Sequence, residues 1–273
     1  MTLRINEIAI AAIGMHQGVV MKATILAAGR GRRLGAFADY PKVLLQFGGM
    51  SLLERHLAVL RASGVDDVGL VVGFNASAIE KELARLGETS VSLIHNPRFQ
   101  EGSILSFWEA RARLTDEAPA ILMDGDVIYD TRLMRQLIDA PLDNCLLMDR
   151  NIEPGDEPVK LCIRDGRIVD FHKRPTEAHD WHGESVGFFR LAPAEMGKIL
   201  AAAERLIADG GAGLEYEEAI RLAMQAEPDR FGFADVSGLP WTEIDFPEDV
   251  EKANQLLAEL ADAPLRRAKA VQS

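Results

Sequence analysis

The chain has 273 residues and a formal net charge of −12, with 42 Asp+Glu against 30 Lys+Arg. That balance excludes nucleic acid as the main partner, because a phosphate backbone calls for a basic face. An apolar content of 48% supports one large α/β domain or two small ones, and no apolar stretch approaches the length needed to cross a bilayer.

Residues 1–20 read as an extension ahead of the domain. Their short apolar run, Ile8 to Ile13, lacks the basic start and cleavage site of a signal peptide, so a cytoplasmic location is expected. A buried strand over 22–28 runs into glycines at 29, 31 and 35, interleaved with Arg30, Arg32 and Arg33 and followed by Tyr40-Pro-Lys42. Ser51 to Ala62 has helical spacing and ends at Gly64. Strands at 67–73, 91–95 and 118–123 alternate with helices starting at Asn75 and spanning 103–114. Strand–helix alternation at this pace predicts a parallel sheet covered on both faces. The second half changes character. Strand-like runs at 144–149 and 157–164 lead to Asp165-Gly166, a hairpin signal, and then to strands at 167–172 and 186–191. Helices are expected at 193–208 and 214–225, strands at 231–236 and 241–244, and a closing helix from Pro247. The prediction is a single Rossmann-like α/β domain over 21–262 with a mixed, mostly parallel sheet. A nucleotide-binding half covers about 21–130, an acceptor half about 131–262, and residues 263–273 form a tail. Cys145 and Cys162 lie in apolar runs and read as reduced core residues.

The chemistry starts at the glycine-arginine loop. Glycines let the backbone turn sharply and approach a ligand, consecutive N–H groups bind anions, and arginine forks match phosphate oxygens. With Lys42, the segment reads as a polyphosphate site. It is neither a Walker loop nor the dinucleotide fingerprint, whose third glycine is replaced by Leu34. Asp124-Gly-Asp126 closes a buried strand, where carboxylates point into the crevice of a parallel sheet. Asp245, taken alone, reads as a cap for the helix at Pro247, and Glu243 shares its face in an extended segment. Ser103 fits a helix cap, and small residues at Gly102 and Ser103 can lie under a planar base. Glu217 and Glu218 read as helix-face charge. Lys160, on a strand, is either a solvated side chain or part of a site. Trp181, Tyr216 and Trp241, with Glu184 and Glu215, either pack in the core or hold an ammonium group.

Leu26-Ala-Ala-Gly-Arg-Gly-Arg-Arg-Leu-Gly35 with Pro41-Lys42 resembles the signature loop of nucleotidyltransferases of the sugar-nucleotide pyrophosphorylase type. The likeness is in particular to the small-alcohol cytidylyltransferases, which act on phosphocholine, 2-aminoethylphosphonate or inositol-1-phosphate, and it extends from residue 22 to about 260. The resemblance implies the nucleotide-diphospho-sugar transferase fold. It implies that Leu26, Ala27, Ala28, Gly29, Arg30 and Gly31 wrap the triphosphate of an NTP, with Asp124 in the same set. Arg33, Lys42 and Lys160 would neutralise phosphate charge, Lys160 at the acceptor. Gly102, Ser103 and Asn96 would meet the base and ribose. Asp126 and Asp245, assisted by Glu243, would hold Mg²⁺, the expected cofactor. Glu184, Glu215, Tyr216 and Trp241 are the expected acceptor contacts. CTP is the implied donor, and an amino-alcohol phosphate or aminophosphonate the expected acceptor, with pyrophosphate released. Inositol-1-phosphate remains open as the acceptor. So does a sugar-1-phosphate or molybdenum-cofactor guanylyltransferase activity, against which the short acceptor half counts, and so does a non-catalytic nucleotide-binding regulator. Oligomeric state is not legible, a homodimer being left open.

Overall fold

The computed structural model describes residues 21–115, 117–152 and 155–260. The expected extension with Ile8 to Ile13 and the expected tail lie outside them. Strand β1 (Lys22–Leu26) leads through 3₁₀ turns at Arg32–Phe37 and Lys42–Leu44, and through the short ladder of β2 (Gln46–Phe47) with β3 (Met50–Ser51), into α1 (Leu52–Ala62). Ser51 caps α1 by accepting from the Glu54 N–H at 3.1 Å. Then come β4 (Asp67–Val72), α2 (Ala76–Leu86), β5 (Ser92–His95), α3 (Ser103–Glu109), α4 (Arg111–Leu114) and β6 (Ala120–Asp124). The helix expected over 103–114 is two helices. Ala110 N–H bonds Phe107 O at 3.1 Å, a tightened turn that closes the first of them. The sequence reading passed over β7 (Val127–Tyr129) and α5 (Thr131–Ile138), although Asp130 caps α5 and Leu133, Met134 and Leu137 recur at helical spacing.

The second half adds β8 (Cys145–Asp149), β9 (Lys160–Arg164), β10 (Arg167–His172), β11 (Trp181–Leu191), α6 (Pro193–Ala208), α7 (Glu217–Ala226), β12 (Gly232–Asp235), β13 (Trp241–Glu243) and α8 (Pro247–Leu256). Asp165 and Gly166 turn the β9–β10 hairpin with φ of 53° and 75°, the left-handed pair that matches strand twist. Helix α7 begins three residues later than expected because the chain before it is used otherwise. Gly102 N–H bonds Ala212 O, Ile104 N–H bonds Leu214 O, and Tyr216 N–H bonds the Ser103 hydroxyl, at 2.9, 3.2 and 2.9 Å.

One mixed sheet carries both halves, in the order β10-β9-β11-β6-β1-β4-β5, with β8 on the other side of β11 and β12 beside β8. Strands β6, β1, β4 and β5 are mutually parallel, and β11 runs antiparallel to β6, β8 and β9. Alternate strand residues feed opposite faces. Leu70, Val72, Met123 and Leu147 pack with α1, α2 and α5, while Val71, Leu122, Leu146 and Phe189 pack with α3, α6 and α7. Both cysteines are free and buried. A third apolar cluster joins Leu34 and Phe47 to Ile128, Ile244 and Ala253. Full burial of Leu34 contributes about 1.5–3 kcal/mol, comparable to the cost of ordering one or two backbone residues. It anchors the glycine-arginine loop against β7, α8 and Ile244. Among the described residues, no helix is long and apolar enough to cross a membrane.

Candidate active site

A cavity of about 590 Å³ opens where β1 and β6 end, between the two halves. The first half contributes Leu26, Ala28, Gly29, Arg33, Lys42, Asp124 and Asp126 to its wall. The second contributes the Glu184 to Gly187 stretch, Glu215 to Glu217, Lys173 and the Trp241 to Glu243 strand with Asp245. Ala27 and Gly31 line a smaller recess beside it, shared with Lys42 and Asp126.

Gly31 stands at φ 65°, and a Cβ there would lie 2.9 Å from Lys42 Cγ. The lysine stem therefore crosses the bare glycine. Lys42 Nζ donates to Asp126 Oδ2 at 2.7 Å and to Asp245 Oδ1 at 2.6 Å. Burial opposes its charge, but the two carboxylates outweigh burial and hold the ammonium well above the ordinary lysine range. Arg33 donates to Asp245 Oδ2 at 2.6 Å, lies 2.9 Å from Glu157, and stacks 4.7 Å over the Phe246 ring.

The β7–β13 ladder builds the acidic centre. Glu243 pairs with Val127, and Ile244 N–H bonds Asp126 O at 2.9 Å, which sets Asp126 beside Glu243 and Asp245. One oxygen from each of these three lies within 4.8 Å of the others. Three hard oxygen donors, two of them already sharing a cation, suit Mg²⁺ or Mn²⁺, which take carboxylates and retained waters. The cap at Pro247 falls to Asp249, which accepts from the Asp245 and Phe246 N–H groups at 2.9 and 2.7 Å. Asp245 is thereby left facing Arg33 and Lys42. Glu243 opens onto the cleft. Loss of bulk water, then the charges of Asp126 and Asp245, raise its carboxyl well above the usual range. Burial raises Asp245 too, but Lys42 and Arg33 bring it below that range.

A second acidic group lies deeper. Asp124 accepts from the Tyr216 hydroxyl at 3.0 Å. Burial first, then Glu217, Asp126 and Glu243, raise Asp124. Glu217 is pushed up to about 8 by burial and by Glu215, and its Oε2 is buried without a hydrogen-bond partner. Gly187, at φ 77°, makes room for this pair, since a Cβ there would sit 2.1 Å from Asp124 Oδ2. The left-handed backbone and the displaced carboxylate together make Gly187→Ala costly, the backbone strain alone being about 1–3 kcal/mol. Thermal unfolding should show a loss of several degrees, and an unchanged melting temperature would refute the packing described.

Several expected residues are placed differently. Lys160 does not line the cavity. Its Nζ donates to the carbonyls of Gly155, Pro158 and Lys173 at 3.1, 3.4 and 2.9 Å, so it holds the wall together. On the acceptor side of the wall Lys173 faces the cavity instead, 2.9 Å from Glu215. Asn96 is buried, donating to Ser106 and accepting from the Arg98 N–H, and is committed to the fold. Ser103 is the first residue of α3 rather than its cap, which is Gly102. Both line the cavity, and Ser103 pins Tyr216. Arg30 lies 5.2 Å over the Phe74 ring, outside the cavity wall. Tyr216 is 2% exposed, packed against Phe107 and Phe189, and reaches the site only through its hydroxyl. Trp181 packs on Phe233 and under Arg150, away from the cavity. Trp241 lines the cavity, with its indole N–H donated to Asp149 at 2.9 Å. Glu184 and Glu215 lie in the wall. Sequence reading gave Glu217 to a solvated helix face. The one available signal was its place at the mouth of a helix whose other face is apolar.

Residues 23–169 match the MobA-like NTP transferase domain family. The chain belongs to that family. A bifunctional IPC transferase and DIPP synthase of Rubrobacter xylanophilus is 26% identical over 253 residues, 90% of this chain and 55% of the relative. A CMP-5'-(3-aminopropyl)phosphonate synthase of Streptomyces rubellomurinus is 29% identical over 245 residues, 86% of this chain and 38% of the relative. The NTP transferase chain thus spans about half or less of these relatives. The structure of the inositol-1-phosphate CTP transferase from T. maritima superposes with a TM-score of 0.74 at 22% identity, covering 90% of this chain and 98% of that one. Its likeness establishes the fold, a mixed α/β sheet with helices on both faces.

Proposed function

We propose that this nucleotidyltransferase moves CMP from CTP to a small phosphorylated or phosphonate acceptor that carries a primary ammonium group, releasing pyrophosphate. One observation carries the reading. The glycine-arginine loop with Lys42, a three-carboxylate centre, and a half-buried acidic pair beside Lys173 all open into one cavity. CTP as donor is supported by the cytidylyl chemistry in the names of the aminopropylphosphonate synthase and the inositol-1-phosphate CTP transferase.

In this mechanism the loop N–H groups, Arg33 and Lys42 hold the triphosphate, and Lys173 meets the acceptor phosphate. An acceptor oxygen attacks the α-phosphorus in line, and pyrophosphate leaves, with no covalent enzyme intermediate. Positioning and charge neutralisation supply the rate. Asp126, Asp245 and Glu243 would hold a divalent cation, which when bound neutralises charge on the α-phosphate. Cytoplasmic location belongs to the same proposal.

Acceptor class follows from which groups are free to receive it. A quaternary ammonium relies on aromatic faces. Here Tyr216 is buried, Trp181 is turned away and the Phe246 face is taken by Arg33, which leaves Trp241 and Phe99 as separate aromatic wall residues rather than a cage built around the acidic pair. A primary ammonium wants oxygen acceptors, and Asp124 and Glu217 offer them. An amino-alcohol phosphate or aminophosphonate with –NH₃⁺ therefore fits better than phosphocholine. Pyrophosphate release under CTP should be fastest with phosphoethanolamine or 2-aminoethylphosphonate. A clear preference for inositol-1-phosphate or phosphocholine overturns the ammonium reading. No release with any NTP and acceptor favours a non-catalytic nucleotide binder.

Glu217→Gln tests the acidic pair directly. An acid raised to about 8 in the folded protein binds its proton more tightly than the unfolded chain does, so unliganded stability falls as pH rises from about 4.5 to 8. The glutamine variant should lose part of that slope, melting a few degrees above the wild type at pH 8 and close to it at pH 5. Its KM for the amino acceptor should rise while KM for CTP holds. Parallel pH–melting curves would remove Glu217 from the pair.

A further inference from the structure

We propose that His56 is a positioning residue for Asp126. From α1 it holds the Gly125 carbonyl and thereby fixes the peptide plane from which the Asp126 carboxylate projects. The proposal rests on the reading that Asp126 helps to hold a divalent cation.

Gly125 separates two carboxylates that face the cavity, Asp124 and Asp126. The turn it makes has no side chain of its own, and a Cβ at this position would lie 2.9 Å from Leu26 O. Three hydrogen bonds hold it. Gly125 N–H bonds Leu26 O at 2.9 Å, at the start of the phosphate loop, and Ile244 N–H bonds Asp126 O at 2.9 Å, between Glu243 and Asp245. The third lies between Gly125 O and His56 Nε2 at 3.1 Å. The first two link backbone to backbone. The third comes from a side chain.

The donor must be a neutral imidazole protonated on Nε2. His56 is fully buried and stacks on Tyr129 at 5.6 Å. Its Nδ1 has no hydrogen-bond partner. A proton on Nδ1 would orphan a buried donor and set the Nε2 lone pair against a carbonyl oxygen, each unfavourable. Protonation of both nitrogens would bury a charge with one nitrogen unpaired. A side chain kept only for packing would need no nitrogen here, and a leucine would fill similar space. The nitrogen serves the turn, and the turn aims Asp126. Groups that orient a metal ligand in this indirect way commonly change metal affinity 10–100-fold when lost.

Three variants decide the point: His56→Leu, His56→Gln and Asp126→Asn. Mn²⁺ affinity is read by electron paramagnetic resonance of free Mn²⁺, with and without CTP, alongside melting temperature and pyrophosphate release. Glutamine reaches the Nε2 position with an amide N–H, and leucine offers none. His56→Leu should bind Mn²⁺ about 10–100-fold more weakly and lose kcat, while acceptor KM stays near the wild-type value. His56→Gln should recover most of both losses. Should His56→Leu fail to fold, His56→Asn replaces it with the same expectation, because its amide stops at the Nδ1 position. Wild-type Mn²⁺ affinity in the leucine or asparagine variant, with affinity lost in Asp126→Asn, overturns the role of His56 alone. Unchanged affinity in Asp126→Asn overturns the metal reading and the positioning role together. An equal loss in leucine and glutamine variants also overturns it, because the donated hydrogen bond would then not be what matters.

Discussion

Replacing Asp126 or Asp245 by asparagine should cut turnover about a thousandfold while leaving the fold intact. Charge neutralisation by a cation held on carboxylates is worth several kcal/mol at the reacting phosphate, and each 1.36 kcal/mol is tenfold in rate. Asparagine keeps the shape of either residue but removes the charge that would bind the cation. The two variants should nevertheless differ in stability. Asp126 has one cationic partner, Lys42 at 2.7 Å, and its charge also raises the neighbouring Asp124 and Glu243. Its loss trades an ion pair against relieved repulsion, so melting should hardly move. Asp245 bonds both Lys42 and Arg33 at 2.6 Å, and its loss weakens two ion pairs at once, leaving Lys42 to Asp126 and Arg33 to Glu157, so melting should fall. Steady-state rates at saturating Mg²⁺ and Mn²⁺, read beside thermal unfolding, check both statements. A near-normal rate in either variant removes that residue from the proposed centre.

The parts of the fold that sequence made legible are those governed by local periodicity. The β1 strand and its loop, the Asp165-Gly166 turn and the Pro193 helix needed nothing from distant residues. Elements that depend on a partner were harder to see. Strand β7 is three residues long and exists because β13 pairs with it. Helix α7 starts late because residues 212–216 bond the 102–104 segment. The site divides in the same way. Asp126, Glu243 and Asp245 could be read together through the family resemblance, since only Asp126 follows a strand of the parallel sheet, while Glu243 and Asp245 come from the antiparallel β7–β13 pair. Lysine assignments were less legible, since a strand lysine can reach several places. Lys160 lies at the expected strand, yet three carbonyls hold its ammonium, and Lys173 supplies the charge at the cavity. Glu217 was hidden for the opposite reason. Its surroundings are set by Asp124, Asp126 and Lys173, none of which is near it in sequence.

Lys42→Ala should lower kcat/KM for CTP by about 10–150-fold, the value of a charge-assisted hydrogen bond of about 1.5–3 kcal/mol, with a much smaller change for the acceptor. The lysine is well placed for this because it starts from a partnership that nucleotide and cation can replace. Without them its ammonium answers the charges of Asp126 and Asp245. Its removal leaves three crowded carboxylates with Arg33 as the nearest cationic relief, and an unpaired, partly buried charge is costly. Lys42→Ala should therefore melt several degrees lower in the absence of divalent cations, and added Mn²⁺ should restore more stability to it than to the wild type, since the same oxygens then have no competing ammonium. Lys160→Ala provides the contrast. It should lose stability, because three carbonyls lose their donor, yet keep its kcat/KM for CTP. Initial rates over a CTP series and melting curves with and without Mn²⁺ read out both variants. If Lys42→Ala uses CTP like the wild type, the loop is a plain turn and the triphosphate lies elsewhere. If Mn²⁺ stabilises both proteins equally, the ammonium and the cation do not share the carboxylates of Asp126 and Asp245.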